Sequence, residues 1–163
     1  MTTANNIYWI ELPRGECLAI AARPRGGDWL LGDINVWAKA GIKLVVSLLE
    51  PDEVIDLDLG GEAELCRSNG IDFISFPIAD RSTPQSPSAA WHLVDGIQST
   101  IESDKAALIH CRAGIGRSAV IAALVLARFD FDTVRAFDAI ARSRGLPVPD
   151  TDAQRLWVAS LLD

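Results

Sequence analysis

Residues 106–127 read AALIHCRAGIGRSAVIAALVLA, and three physical signals follow one another inside them. Ala106–His110 is a short apolar run of strand length. Cys111 to Gly116 carries two glycines, Gly114 and Gly116, which read as a tight loop able to turn several successive N–H groups toward one point. From Ser118 to about Phe129 the chain is almost wholly apolar, and a helix that is apolar all round has to be central and buried. A strand, a glycine loop and a buried helix in that order indicate a parallel sheet whose loops meet at one strand edge.

Working outward, Leu44–Leu49 is apolar apart from Ser47 and reads as a strand buried on both faces. Ile71–Phe76 is the next strand, and Pro77–Pro87 (PIADRSTPQSP) is a loop. Ser86 and Pro87 cap and start a helix with the buried stripe Ala90, Leu93, Val94, Ile97 and Ile101. Two further strands, Ile7–Leu12 and Cys17–Ala22, flank a turn at Pro13-Arg14-Gly15. Asp33 reads as the N-cap of a short helix carrying Ile34, Trp37 and Ala38 and closed by Gly41. Pro51 to Gly70 holds one or two short helices. Val134, Phe137, Ile140 and Ala141 mark a helix ending at Gly145; Ala153, Leu156, Trp157, Ser160 and Leu161 mark the last. The expectation is one α/β domain over residues 1–163, with a largely parallel, twisted sheet of about five strands flanked by helices.

Composition narrows the function. The chain is 49% hydrophobic and 23% charged, too apolar for disorder. Its net charge of −7 lacks the footprint of a general nucleic-acid binder. Three cysteines, Cys17, Cys66 and Cys111, with no CxxC pair, argue against a disulfide framework or a zinc ribbon, and with only two histidines no metal or cofactor is expected. The opening MTTANNIYWIELPRG has no leader-like pattern, and the longest apolar run, Ala119 to Ala127, is short of the roughly twenty residues of a membrane span. A reducing, cytoplasmic setting is therefore expected, with oligomeric state left open.

A cysteine followed by arginine six residues later is weak evidence alone. Such a pair arises by chance with an expectation of about 0.2 here, and Cys17 with Arg23 shows the same spacing. That pair sits in an alternating run without glycine, so Cys17 reads as a buried small hydrophobe. At Cys111 the loop feeds a helix N-terminus, whose unpaired N–H groups and dipole favour an anion. Arg117 can fold back and hold two oxygens of a bound group. Thiolate, N–H donors and guanidinium aimed at one point make a phosphoryl-transfer site. Residues Arg112, Ala113, Gly114, Ile115, Gly116 and Arg117 are the expected phosphate cradle.

Topology supplies a proton donor. Ile71–Phe76, the helix after Pro87 and Ala106–His110 form a β–helix–β unit with parallel strands. Their C-terminal loops carry Asp80 and Cys111, so both side chains can face one crevice. Asp72, inside a strand, and Asp95, on the polar side of a helix, are poorer candidates, and His92 reads as surface.

HCRAGIGRS resembles the HCxxGxxR[ST] signature loop of the cysteine-dependent protein tyrosine phosphatase superfamily. The resemblance runs from FPIADRSTP to RSRGLPVPDTDAQ, roughly Ile71 to Leu161. It is nearest to small dual-specificity-type phosphatases of the group that includes the cyclin-dependent-kinase-associated phosphatase. The resemblance implies Cys111 as nucleophile, Arg117 as phosphate-binding arginine, Asp80 as general acid and Ser118 as the hydroxyl that stabilises the departing thiolate. It also implies that His110 orders the loop by hydrogen bonding, although its ring should point to the other sheet face. Gln154 is either a water-positioning residue, as in some relatives, or the N3 member of the capping box Thr151-Asp152-Ala153-Gln154. Cys66 is either a structural cysteine or a resolving thiol for oxidised Cys111.

The expected partner is a phosphorylated protein or peptide. Arg81, Arg112, Arg142 and Arg144 are expected to form a basic rim or to be ordinary surface. Ile115 lowers a phosphoinositide reading, because lipid-directed relatives often carry basic residues in the loop interior. A phosphatase of lipid, nucleotide or sugar phosphates, a phosphoprotein-binding module with little turnover, and a sulfur-transfer or arsenate-reducing enzyme are the alternatives, in that order.

Overall fold

A computed structural model describes residues 6–13 and 15–163. Arg14, at the expected first turn, lies outside the described residues. The elements are β1 (Tyr8–Leu12), β2 (Gly15–Ala22), α1 (Leu30–Lys39), β3 (Ile42–Ser47), α2 (Pro51–Asp56), α3 (Glu62–Ser68), β4 (Asp72–Ser75), α4 (Pro87–Glu102), β5 (Ala106–Cys111), α5 (Arg117–Ala127), α6 (Thr133–Arg144) and α7 (Asp152–Leu162). The five strands form one sheet in the order β1-β2-β5-β3-β4, parallel except where β1 pairs antiparallel with β2.

The strand order brings the site together. β4 and β5 are parallel, as the β–helix–β reading requires, but β3 lies between them. Ala22 pairs with Cys111, and Ser47 pairs with both His110 and Ser75, so the C-terminal ends of four strands share one edge. Backbone bonds carry the ladder past the strand ends: Leu48 N donates to His110 O at 3.0 Å, Phe76 N to Ser47 O at 2.8 Å and Ile78 N to Leu48 O at 3.0 Å.

Side-chain alternation along the strands splits the core into two layers. On one face Ile20, Val46, Ala107, Ile109 and Cys111 pack under α4, α5, α6 and α7. On the other, Ala19, Ala21, Val45 and Leu108 pack under α1 and α3 with Trp37, Leu59 and Cys66. Every residue of α5 from Arg117 to Leu126 is buried, the position its all-round apolarity demands. The α4 stripe is the expected one, and Ser86 Oγ accepts from Ala89 N at 3.1 Å beside Pro87 at the helix start.

Two local expectations are corrected. Asp33 is not an N-cap, because a turn of 3-10 helix at Gly27–Trp29 runs directly into α1 at Leu30. Its carboxylate instead receives Arg25 through the backbone N at 2.8 Å, Nε at 3.1 Å and Nη2 at 2.7 Å. Cys17 is half-buried at the edge of the first core layer rather than fully enclosed.

Candidate active site

Between β5 and α5 the chain makes the loop that the sequence marks out. Gly114 has φ +71°, and a Cβ there would stand 2.6–2.7 Å from the backbone of Ala21 and Ala22, so only glycine fits. Gly116 has an ordinary φ of −96°, against the expectation that both glycines serve conformation. It is needed for space, since a Cβ would lie 2.9 Å from Asp150 Cβ and 3.0 Å from the Gln154 amide.

The carbonyls of the loop are engaged from outside. Arg23 N donates to Arg112 O at 3.3 Å, and Arg144 donates through Nη2 to Ala113 O and through Nε to Gly114 O, both at 3.1 Å. In a trans peptide the N–H points opposite its carbonyl. Three outward carbonyls therefore turn the N–H groups of Ala113, Gly114 and Ile115 toward the cleft, an anion nest.

The cleft has a volume of about 220 Å³ and is lined by Cys111, the loop, Asp80, Arg81 and Asp150. Cys111 is buried, and its Sγ lies 3.3 Å from Ser118 Oγ in the first turn of α5. Arg117 is 2% exposed. Its Nη1 donates to Glu53 Oε2 at 2.8 Å and to Ile78 O at 2.9 Å, and its Nη2 to Glu53 Oε1 at 2.9 Å. Of the five N–H donors of a guanidinium, this leaves Nε–H and one Nη2–H as a fork for two oxygens. Asp80 Oδ1 stands 3.2 Å from Nη2, at the mouth of that fork.

The charges support one another. Hydrogen bonding from Arg117 holds the Glu53 carboxyl below its ordinary range, against the opposing effect of burial. Burial disfavours the charge on Arg117, but Glu53, Cys111 and Asp80 outweigh it and keep the guanidinium firmly protonated.

Other expected residues lie differently. The His110 ring points to the second core layer, where Nε2 meets Glu62 Oε2 at 2.6 Å, and its Nδ1 has no hydrogen-bond partner among the described residues. Among the described residues neither ring nitrogen thus hydrogen-bonds the signature loop, contrary to the implied role. Gln154 is the N3 residue of the capping box with Thr151, and its Nε2 also donates to Ser82 O at 3.0 Å. Its amide thus serves the capping reading, with Oε1 and one Nε2–H engaged by backbone partners. Cys66 lies in the opposite core layer from Cys111, which removes the resolving-thiol reading. Burial, reinforced by the Glu62 charge, pushes its thiol up to about 12.

The basic rim reduces to Arg81 and Arg112. Arg142 lines a separate groove with Glu11, Phe131 and Arg135, and Arg144 stands behind the loop with its guanidinium 4.2 Å from the Tyr8 ring centroid. Asp95 pairs with Arg128 at 2.8 Å, away from the cleft. Sequence reasoning passed over Glu53, Asp150 and the true place of Arg144. For Glu53 a signal existed: Glu50-Pro51-Asp52-Glu53 is a helix start with a carboxylate at N3, just past the end of a buried strand on the loop edge.

Residues 21–129 match the family model described as "Tc-R-P: Polymorphic toxin system, DSP-PTPase phosphatase". A curated relative, cyclin-dependent kinase inhibitor 3 of Rattus norvegicus, is 27% identical over 133 residues, covering 76% of this chain. The aligned part spans 62% of that relative's length. Among solved structures, a kinase-associated phosphatase with its catalytic-site cysteine replaced by serine superposes with a TM-score of 0.87 at 22% identity, covering 95% of this chain and 92% of that one. Tk-PTP in its active form gives 0.79 at 22% identity, covering 97% and 96%. PTPMT1 in complex with PI(5)P gives 0.76 at 15% identity, covering 94% and 93%. The likenesses in structure establish the shared fold, and the family match runs through the strand, loop and buried helix on which the cleft is built. The chain belongs to the family described as the DSP-PTPase phosphatase of polymorphic toxin systems.

Proposed function

We propose that the protein is a phosphoprotein phosphatase acting on phosphotyrosine and on phosphoserine or phosphothreonine through a phosphocysteine intermediate, with residues 1–163 working as one phosphatase domain in a reducing, cytoplasmic setting. The observation that carries the reading is the convergence of Cys111 Sγ, the Nε–H and Nη2–H fork of Arg117 and the Asp80 carboxylate on one cleft. The phosphoryl oxygens lie in the loop amides and the Arg117 fork. The Cys111 thiolate attacks phosphorus in line as the ester bond breaks, and Asp80 delivers a proton to the departing oxygen. Asp80, now a carboxylate, takes a proton from the water that hydrolyses the phosphocysteine, and Ser118 Oγ stabilises the returning thiolate. Asp80 must exchange its place near Arg117 for the leaving group when substrate binds, and its 60% exposed side chain has room to do so.

The likeness to a kinase inhibitor and a kinase-associated phosphatase supports a phosphoprotein substrate, as does the apolar Ile115 in the cradle. The test is turnover on a phosphotyrosyl peptide, a phosphothreonyl peptide and a phosphatidylinositol monophosphate, with acid-quenched protein digested to find the phosphorylated residue. Peptide turnover with a phosphoryl adduct on Cys111, absent in Cys111→Ser, is expected. Turnover of the lipid alone would move the substrate class, and activity in Cys111→Ser would overturn the mechanism.

A further inference from the structure

Asp80 needs a fixed position to act, yet it is well exposed and lies beyond the last sheet-type bond of its loop, from Ile78 N to Leu48 O. The next two residues of the chain supply the fixing. Arg81 has φ +60°, a left-handed turn that is uncommon for a residue with a Cβ. The turn sends consecutive side chains to different partners: Asp80 to Arg117 at 3.2 Å, and Arg81 Nη1 to Asp150 Oδ2 at 3.0 Å. One residue later, Ser82 O accepts from Gln154 Nε2 at 3.0 Å. Gln154 Oε1 in turn receives the N–H groups of Asp150 and Thr151, both at 3.1 Å. Asp150 is thereby held on the same buried amide that holds the loop. The absent Cβ of Gly116 lets both Asp150 and Gln154 close onto the signature loop.

We infer that Arg81 and Asp150 are positioning residues, forming with Gln154 and Ser82 a strap that holds the Asp80 loop across the cleft. The inference rests on the reading of Asp80 as the proton donor. The two attachments differ in kind. The Gln154 link is made by a fully buried side chain, whereas the ion pair is exposed at 63% on Arg81 and 38% on Asp150, so it is open to screening. The pairing also occupies the one guanidinium adjacent in sequence to Asp80, which would otherwise compete with Arg117 for its carboxylate.

The test compares wild type, Arg81→Gln, Asp150→Asn, the double variant and the swapped pair Arg81→Asp with Asp150→Arg. The readout is the pre-steady-state rate of leaving-group release from a phosphotyrosyl peptide and from an activated aryl phosphate. An exposed pair of this kind corresponds to about a three- to fivefold loss in each single variant, on the peptide only. The double variant should lose no more than either single one, and the swap should recover part of the rate. Raising salt from about 0.1 M to about 1 M should slow wild type by a similar factor and leave the single variants unchanged. Equal losses on both substrates, or additive losses, would show that the pair does not act through Asp80. Should Asp80→Asn itself show no dependence on leaving group, the proton-donor reading fails; should it show that dependence while the Arg81 and Asp150 variants do not, the strap alone fails.

Discussion

Glu53 and Arg117 are 64 residues apart in the chain and meet in a two-point ion pair, Nη1 to Oε2 at 2.8 Å and Nη2 to Oε1 at 2.9 Å. Glu53 Oε2 also accepts the N–H of Glu50 at 2.8 Å, so one carboxylate both closes the start of α2 and aims the arginine. This is a buried pair in which both Glu53 oxygens and three of the five Arg117 N–H donors are engaged, and its worth is in orientation as much as in energy.

Removing one partner of such a pair leaves the other charge buried. Glu53→Ala should lower unfolding free energy by about 3 kcal/mol, read from urea titration. The pH dependence has a definite sign. Glu53 is held below the ordinary carboxylate range, so its contribution is complete above its unfolded value of about 4.3 and is lost as pH falls from there through the depressed folded value. The stability gap between wild type and Glu53→Gln should therefore shrink on acidification below about pH 4.3 and hold steady above it. A gap that widens in acid would contradict the assignment.

What could be read from the sequence was local. The loop at Cys111, the α4 stripe with its Ser86 cap and the all-apolar α5 are set by spacing and capping within a few residues of each other. The placement of Asp80 needed only that two parallel strands end on one edge, and that holds although β3 lies between them. Glu53 was legible only as a carboxylate at a helix start, and Arg144 and Asp150 not at all, because the roles of all three depend on which loops meet at that edge. Arg144 ends a helix with an exposed polar face and reads as surface arginine until α6 is seen behind the loop. His110 shows the boundary well: alternation gives the face its ring occupies, and nothing local points to Glu62.

Arg144 offers a second test. If its two bonds hold the loop carbonyls outward, Arg144→Ala should weaken competitive inhibition by inorganic phosphate about tenfold, because the anion nest loses its set. Arg144→Lys keeps one cation near the carbonyls without the fork and should fall between the two. Unchanged phosphate inhibition in Arg144→Ala would assign the residue to packing on Tyr8 alone.

The cysteines should divide sharply in reactivity. Cys111 lines the cleft, whereas Cys66 is enclosed in the opposite core layer with its thiol pushed up to about 12. Iodoacetamide on the native protein at about pH 8 should label Cys111 and spare Cys66 until the chain is unfolded. Peroxide should oxidise Cys111 without forming a Cys66–Cys111 disulfide, since the two thiols lie on opposite faces of the sheet. Peptide mapping that finds that disulfide in folded protein would place the sheet faces in error.

The role of Asp80 is decided by what leaves. A proton donor matters in proportion to the charge that builds on the departing oxygen, and that charge is tolerated by a stabilised phenolate but not by an alkoxide. Asp80→Asn keeps the shape of the side chain while removing its charge and the transferable proton. Its cost should be about 10²–10⁴-fold, the usual worth of general acid catalysis, on a phosphothreonyl or phosphotyrosyl peptide. On an activated aryl phosphate the cost should be much smaller, provided leaving-group release is measured in the first turnover, before hydrolysis of the phosphocysteine can limit the rate. Loss of the carboxylate also frees the Nη2–H of Arg117 that it now faces at 3.2 Å, so phosphate affinity should hold or improve rather than fall. A variant that loses rate equally on all leaving groups, with weakened phosphate binding, would show Asp80 to be a scaffold for Arg117 instead of the acid.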